Sequence, residues 1–221
     1  MLKTRDLALD APDGGLLLTG LNLEVPPGGN LVLAGPSGCG KSRLLKVIAG
    51  TERPRAGAVA IGGVAIWPGK GVFTLAGQVR VGLAFARGGL LANLSLQDNV
   101  ALPLRFQGLP MAQVEARVAA ALERFGLARV AGLRPHAVSE CARRFANLAR
   151  VLALEPALVL LDDPLGGLEA RDRASALGLL EHWASDPVCT LVITAEDPSL
   201  FSSLNATHLQ LSQATHVQEP S

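Results

Sequence analysis

Three short runs of the chain are apolar at nearly every position, namely residues 31–34 (LVLA), 157–161 (ALVLL) and 188–194 (VCTLVIT). Unbroken runs of this kind are typical of strands buried on both faces, because every side chain then meets apolar neighbours. Parallel strands covered by helices on both sides of the sheet have this environment. The runs therefore predict the strands of a parallel sheet in an α/β fold.

The segment before residue 30 has a different pattern, in which an Asp-Gly pair and a Pro-Pro pair interrupt the leucines. Residues 58–66 continue this pattern and contain Gly62-Gly63. Short apolar stretches broken by Gly and Pro are typical of antiparallel strands joined by turns. We interpret both segments as antiparallel strands that flank the first parallel strand.

Between about residues 93 and 154 the apolar positions recur at the spacing of a helix. A first predicted helix begins after Pro110 and stops at Gly126. Its apolar stripe consists of Val114, Val118, Ala121, Leu122 and Phe125. A second predicted helix follows Ser139, with Phe145, Leu148 and Leu152 on its apolar face. This pattern predicts a helical block inserted in the α/β core.

Composition narrows the class of protein. The length of 221 residues suits one large domain or one domain with an inserted subdomain, and 49% apolar residues exclude a disordered chain. A net charge of +1 and 4% aromatic residues argue against a nucleic-acid partner.

The three cysteines are widely separated, which suits reduced thiols. No run reaches the ~18 apolar residues of a membrane span, and the first residues lack a secretory signal pattern, so we expect a cytoplasmic location.

Residues 35–42 (GPSGCGKS) match the phosphate-binding pattern G-x-x-x-x-G-K-[ST] between a predicted strand and a predicted helix. Glycines let backbone N–H groups and the helix N-terminus point at phosphate oxygens. Lys41 would reach the β- and γ-phosphates, and the Ser42 hydroxyl would bind Mg²⁺. The residues predicted to contact a nucleotide are Gly35, Pro36, Ser37, Gly38, Cys39, Gly40, Lys41, Ser42 and Arg43.

Two aspartates follow the apolar run that ends at residue 161. A P-loop protein needs an acid at the end of a neighbouring buried strand to position Mg²⁺, and Asp162 would hold the ion through water. Ser42 and Asp162 are therefore the candidate metal ligands. Asp163 lies where a hydrolysing enzyme requires a base to polarise the attacking water, so Asp163 is the candidate catalytic residue.

The order of these motifs resembles the nucleotide-binding domain of ABC transporters. GPSGCGKS is similar to the Walker A motif of that family, and LVLLDDP at 158–164 is similar to its Walker B motif. PLGGLE at 164–169 lies at the place of the D-loop, and LVITAED at 191–197 at the place of the switch histidine. Residues 81–105 look most like the ATPases of bacterial Mla/Mce-type lipid transport systems.

This resemblance implies an α/β P-loop fold of the ABC ATPase type, with a mostly parallel core sheet, an antiparallel β-subdomain and an inserted helical subdomain. It implies a single domain of three parts: a β-rich and P-loop part (1–92), a helical subdomain (93–154) and the rest of the core (155–221). The implied cofactors are ATP and Mg²⁺. The implied partners are an integral-membrane permease, at the inner face of the cytoplasmic membrane, and a dimer mate, which is a second copy or another nucleotide-binding subunit.

Five features outside the P-loop depart from the family pattern. Ala86 replaces the Q-loop glutamine, Asp163 the general-base glutamate and Ala195 the switch histidine. The signature motif Leu-Ser-Gly-Gly-Gln reads VSECA at 138–142, and the usual adenine-stacking aromatic is absent because no aromatic precedes Trp67. In the family the signature motif approaches the triphosphate bound to the opposite subunit, so Glu140 would bring a carboxylate near that triphosphate, at a cost of a few kcal/mol.

Two further groups of side chains have open interpretations. Arg143, Arg144 and Arg150 are expected on a solvated face, where Arg143 could pair with Glu140 one turn earlier. A second group of leucines is either part of the core or a patch that binds the permease. These leucines are Leu90, Leu91, Leu94 and Leu96.

We therefore expect a divergent ATP-binding subunit of an ABC transporter, of a lipid-transport type, that binds Mg-ATP and hydrolyses it slowly or not at all. The alternative is a structural or regulatory subunit that has kept the fold and lost turnover or nucleotide binding. A small P-loop kinase would explain residues 35–42 but not the ordered motifs at 138–142 and 162–169.

Overall fold

The fold comes from a computed structural model that describes residues 1–11, 14–71, 78–86 and 89–211. Within them, an antiparallel sheet of order β2-β1-β4-β5 consists of β1 (Leu2–Asp10), β2 (Leu16–Val25), β4 (Ala56–Ile61) and β5 (Val64–Trp67). A parallel sheet of order β6-β7-β8-β3-β9 consists of β3 (Asn30–Ala34), β6 (Val81–Ala84), β7 (Leu158–Asp162), β8 (Thr190–Ala195) and β9 (Thr207–Gln210). The α-helices are α1 (Lys41–Ile48), α2 (Leu96–Phe106), α3 (Met111–Arg124), α4 (Glu140–Ala153) and α5 (Ala170–Ala184). Residues 87–88 of the predicted segment 81–105 lie outside the described residues. Residues 212–221 of the predicted last part of the core, 155–221, also lie outside them.

The three apolar runs form neighbouring strands of the parallel sheet, as predicted. Successive side chains of β7 alternate between two cores: Leu158 and Leu160 pack with α1 and the antiparallel sheet. Val159 and Leu161 pack with the helical block. Every residue of β7 and β8 is buried. Since the strands are parallel and in register, β3, β7 and β8 all end at the same edge of the sheet.

The antiparallel strands form a sheet of their own, which confirms the expected antiparallel β-subdomain. The predicted segment 58–66 is in fact two strands, β4 and β5, joined at Gly62 and Gly63. These glycines have φ values of 59° and 83°, and a two-residue hairpin of this kind requires positive φ at both positions. A hydrogen bond of 2.9 Å from the Trp67 indole to the carbonyl of Val47 ties this sheet to α1.

The helical block is formed by α2, α3 and α4, and the predicted helix starts are confirmed. Helix α3 begins directly after Pro110. Helix α4 begins after Ser139, whose hydroxyl accepts a hydrogen bond of 3.2 Å from the Ala142 amide. Among the described residues, no helix has the length and apolar character needed to cross a membrane.

Asn99 of α2 organises the segment before its own helix. Its side chain is fully buried and accepts a 2.7 Å hydrogen bond from the Leu91 amide. Its Nδ2 donates to the carbonyls of Leu91, Leu94 and Ser95. This network holds Leu91 at the surface, 46% exposed, while Leu96 is completely buried. The four leucines singled out in the sequence therefore divide between core and surface.

Candidate functional site

The loop at 35–40 joins the end of β3 to the start of α1. Gly38 and Gly40 have φ values of 81° and 96°, in the left-handed region that glycine tolerates best. A Cβ on Gly40 would lie 2.6 Å from Cδ2 of Leu17, so a larger residue would collide there. The loop and the first N–H groups of α1 have the form of an anion-binding cradle.

Lys41 lies folded over this loop. Its side chain is buried, and its Nζ donates hydrogen bonds to the carbonyls of Gly35 (2.6 Å) and Pro36 (2.8 Å). The thiol of Cys39 is buried beneath the loop, 3.9 Å from the same Nζ. The ammonium group is thus held at the cradle, and Cys39 fills space under it.

Ser42 and Asp162 meet at the edge where the parallel strands end. The Ser42 hydroxyl donates to Oδ1 of Asp162 at 2.9 Å, and the Thr194 hydroxyl donates to the same oxygen at 2.8 Å. Asp162 is only 8% exposed. A hydroxyl and a carboxylate are hard oxygen ligands of the kind Mg²⁺ prefers, so the residues present fit that ion. Thr194 orients the carboxylate, a role that sequence reasoning missed because β7 and β8 are brought together only by folding.

Asp163 follows β7 and is half-buried, and it lines the same cleft as the P-loop. Its amide donates to the carbonyl and the hydroxyl of Thr194, each at 3.1 Å, and its φ of 44° is uncommon for a residue other than glycine. Its carboxylate turns back over the following loop, because a Cβ on Gly166 would lie 1.8 Å from its Oδ2. Burial raises the pKa of Asp163, an effect that the positive charge of Arg144 opposes.

The end of β8 requires a correction to the sequence interpretation. Ala195 is the last residue of the strand, 1% exposed, and its carbonyl accepts a 3.2 Å hydrogen bond from Gly35. The next residue, Glu196, lines the cleft together with Lys41 and Asp163. The side chain that this strand presents to the cleft is therefore a carboxylate. The signal in the sequence was that Glu196 is the first charged residue after an apolar run.

Ala86 and Phe85 line the cleft from the end of β6. Helix α4 holds this segment: Nδ2 of Asn147 donates to the Phe85 carbonyl at 3.1 Å, and Oδ1 of Asn147 accepts from Arg150 at 2.6 Å. Arg150 also donates to the carbonyl of Gly89. Arg150 is half-buried by these contacts and is not on the solvated face that the sequence suggested, and burial lowers its pKa. Asn147 and Arg150 could not be recognised from sequence, because their partners lie about 60 residues earlier.

The sequence VSECA at 138–142 caps and starts α4. Oε2 of Glu140 accepts hydrogen bonds from Nε (3.1 Å) and Nη2 (2.5 Å) of Arg143, and Nε of Arg144 lies 3.5 Å from Oε1. The hydrogen bonds from Arg143 hold the pKa of Glu140 below its usual value, so the anticipated ion pair is present. Burial, together with a hydrogen bond to Asp172, raises the pKa of the Cys141 thiol to about 12.

The chain is similar in sequence to ATP-binding proteins of ABC transporters, which agrees with a P-loop beside a carboxylate at the end of a buried strand. The sequence profile described as "ABC transporter" matches residues 18–166. The lipoprotein-releasing system ATP-binding protein LolD of Chromohalobacter salexigens is 31% identical over 204 residues, which cover 90% of this chain and 86% of that protein. The sulfate/thiosulfate import ATP-binding protein CysA of Gloeobacter violaceus is 36% identical over 179 residues, which cover 80% of this chain. The chain spans about half the length of that relative (50%).

The fold is similar to solved structures over its whole length. The dimeric structure of a post-hydrolysis state of the ATP-binding cassette MJ0796, bound to ADP and Pi, has a TM-score of 0.90 and 23% identity. The match covers 100% of this chain and 98% of that one. Because the sequences are only 23% identical, this similarity shows that the two chains share a fold and nothing more.

Proposed function

The chain belongs to the ABC transporter family, and on that basis we propose that this ATP-binding subunit holds Mg-ATP in the cleft of Lys41, Ser42 and Asp162. The observation that carries the proposal is the hydrogen-bonded set of Ser42, Asp162 and Thr194 beside the P-loop. When bound, Mg²⁺ would be held by Ser42 and Asp162 and would neutralise charge on the phosphates. Lys41 and the N-terminus of α1 would bind the phosphate oxygens.

We further propose that this chain hydrolyses ATP slowly. Asp163 has a shorter side chain than glutamate, and its carboxylate is turned toward Gly166. Misplacing a catalytic group by about 1 Å can reduce the rate by about a hundredfold. Ala86 has no amide to orient water, and Glu196 adds negative charge to the cleft. All of these changes affect the hydrolysis step, so their separate reductions in rate cannot be multiplied together.

We propose that an integral-membrane permease docks on the helical block, which would place the subunit at the inner face of the cytoplasmic membrane. A groove between α2 and α3 has an apolar floor that includes Ala101, Val118 and Leu122. Leu91, in the segment just before α2, is held at the surface by Asn99 and is 46% exposed. We also propose that two nucleotide-binding subunits associate, which the fold shared with a dimeric cassette supports.

We propose a lipid or lipid-linked molecule as the transported substrate. Support comes from the resemblance of residues 81–105 to Mla/Mce-type ATPases and from the similarity to LolD, whose name assigns that protein to a lipoprotein-releasing system. Relatives named for sulfate and taurine import are also similar. Copurification of the permease from membranes, followed by identification of its bound lipid, tests this assignment.

Calorimetry with Mg-ATP on the wild type and on Lys41→Ala tests the central proposal. Removing a charged hydrogen-bond donor should weaken binding about 10- to 100-fold. Lys3→Ala, on the exposed face of β1, is the matched control and should bind as the wild type does. Phosphate release from the same samples should stay well below about 1 per second. A folded wild type that does not bind Mg-ATP would contradict the binding proposal, and faster release would contradict slow hydrolysis.

A further inference from the structure

Arg144 of α4 is buried between the helical block and the loop that follows β7. Its side chain is only 15% exposed, although the sequence suggested a solvated face. Glu140, Arg144 and Asn147 lie on one face of α4, because residues three and four positions apart follow one another along a helix. The Asn147 side chain donates to the Phe85 carbonyl, which fixes this face against the end of β6. Arg144 is therefore held beside Phe85 and Ala86.

The guanidinium of Arg144 lies close to the Asp163 carboxylate. Nη2 of Arg144 would be 3.4 Å from a Cβ on Gly167. Oδ2 of Asp163 would be 1.8 Å from a Cβ on the preceding residue, Gly166. The two groups of opposite charge thus lie over neighbouring residues of one loop, and both line a small cavity next to Ala86.

The charge of Arg144 is more available to Asp163 than to its other acidic neighbour, Glu140. Glu140 accepts hydrogen bonds of 2.5 and 3.1 Å from Arg143, whereas Nε of Arg144 lies 3.5 Å from its Oε1. Burial raises the pKa of Asp163, and among the charged side chains around it Arg144 has the largest effect, in the opposite direction. Attraction between the two charges therefore draws the Asp163 carboxylate toward α4.

The orientation of this carboxylate decides whether it can act in hydrolysis. A general base must lie within hydrogen-bond reach of the water that it activates, and a displacement of about 1 Å can reduce the rate about a hundredfold. We propose that Arg144 is a positioning residue that holds the Asp163 carboxylate over Gly166 and thereby slows hydrolysis in this chain. This inference rests on the proposed Mg-ATP site and specifies what restrains its water-activating side.

Phosphate release at saturating Mg-ATP tests the effect on hydrolysis. Arg144→Gln removes the charge that holds Asp163, so release should rise about tenfold while the Mg-ATP affinity stays within about twofold of the wild type. A loss of structure alone would not raise the rate. Arg144→Lys keeps the positive charge and should release phosphate near the wild-type rate. Adding Asp163→Asn to Arg144→Gln should abolish the gain, because the gain requires the freed carboxylate.

Arg171→Gln is the matched control for this experiment. It removes the same charge from an exposed position in the first turn of α5 and should leave the rate of phosphate release unchanged.

A double-mutant cycle in urea unfolding tests the contact without nucleotide. The cycle compares the wild type, Arg144→Gln, Asp163→Asn and the variant with both substitutions. Arg144→Gln should raise the equilibrium constant for unfolding about fivefold more when Asp163 is present than in the Asp163→Asn background. Equal effects in the two backgrounds would overturn the contact.

The outcomes separate this inference from the proposed function. If the folded wild type binds no Mg-ATP, the proposed function fails and the effect on hydrolysis fails with it, whereas the unfolding cycle still decides the contact. If Mg-ATP binds but Arg144→Gln releases phosphate no faster than the wild type, the proposed function stands and the role of Arg144 is overturned. A gain of equal size in Arg171→Gln, or one that survives Asp163→Asn, would overturn it as well.

Discussion

The P-loop side of the cleft and the side formed by Ala86, Asp163 and Glu196 use their polar atoms differently. On the P-loop side, the Ser42 and Thr194 hydroxyls converge on one carboxylate oxygen of Asp162. On the other side, the Asp163 carboxylate lies over Gly166, and the side-chain amide of Asn147 donates a hydrogen bond to the Phe85 carbonyl. The first arrangement gathers side-chain oxygens at the proposed Mg²⁺ site, whereas in the second the polar groups contact neighbouring backbone.

On the proposed function, this difference means that nucleotide binding and water activation place separate demands on one cleft. Phosphate binding needs several donors and a metal ligand near one another, and glycines together with a helix N-terminus supply most of them. Water activation needs one base within a fraction of an ångström of its productive position. In the proposed function, a shorter side chain at 163 and a missing amide at 86 affect the second demand and leave the first intact.

The largest expected effect comes from rebuilding the water-activating side. The triple variant Ala86→Gln, Asp163→Glu and Glu196→His restores an amide, a longer carboxylate and an imidazole. A cavity of about 120 Å³ beside Ala86 offers room for the new side chain. Phosphate release should rise about a hundredfold, with Mg-ATP affinity changed by less than about tenfold.

Stopped-flow phosphate release and calorimetry on the same samples measure this outcome. The triple variant combined with Lys41→Ala is the control, and it should lose the gained activity because the phosphates are no longer held. A triple variant that binds Mg-ATP normally but releases phosphate at the wild-type rate would contradict the proposal that residues 86, 163 and 196 limit hydrolysis.

A smaller effect is expected from Thr194→Val, which removes the hydroxyl that orients Asp162. The change nearly conserves the volume of the side chain. It should weaken Mg²⁺-dependent ATP binding about tenfold, which is the lower end of the roughly 10- to 100-fold loss typical when a residue that orients a metal ligand is replaced. Thr190→Val is the matched control. It is also fully buried on β8, but its hydroxyl donates to the carbonyl of Pro26. Equal losses of Mg²⁺-dependent affinity in both variants would contradict the role assigned to Thr194.

The smallest effect concerns Glu140 and its pH dependence. Arg143 lowers the pKa of Glu140, so the stabilisation is complete above the ordinary glutamate pKa of about 4.3 and is lost as pH falls through the lower folded-state pKa. Because the side chain is 55% exposed, Glu140→Gln should reduce the free energy of unfolding by only about 0.3–0.5 kcal/mol at pH 7. Urea unfolding at pH 7 and pH 3 measures this. A difference that does not become smaller between pH 7 and pH 3 would contradict the ion-pair explanation.

Much of the fold was predictable from sequence because its signals are local. The apolar runs predicted β3, β7 and β8, and the helical period predicted α3 and α4 with their starts after Pro110 and Ser139. Residues 58–66 were expected to be antiparallel strands containing a Gly-Gly pair, but the bounds of the two strands, β4 and β5, came from the structure. The positive φ angles of the pair show the hairpin that a Gly-Gly pair permits.

The sequence by itself determined the P-loop, the pair of aspartates after a buried strand and the proximity of Asp162 to Ser42, because parallel strands align their ends at one edge. Only the tertiary structure decided that Glu196 and not Ala195 faces the cleft, and that Asn147 and Arg150 hold the segment after β6. A motif records which residues are neighbours along the chain. Side-chain direction at a strand end, and hydrogen bonds between elements about 60 residues apart, depend on packing that no local pattern encodes.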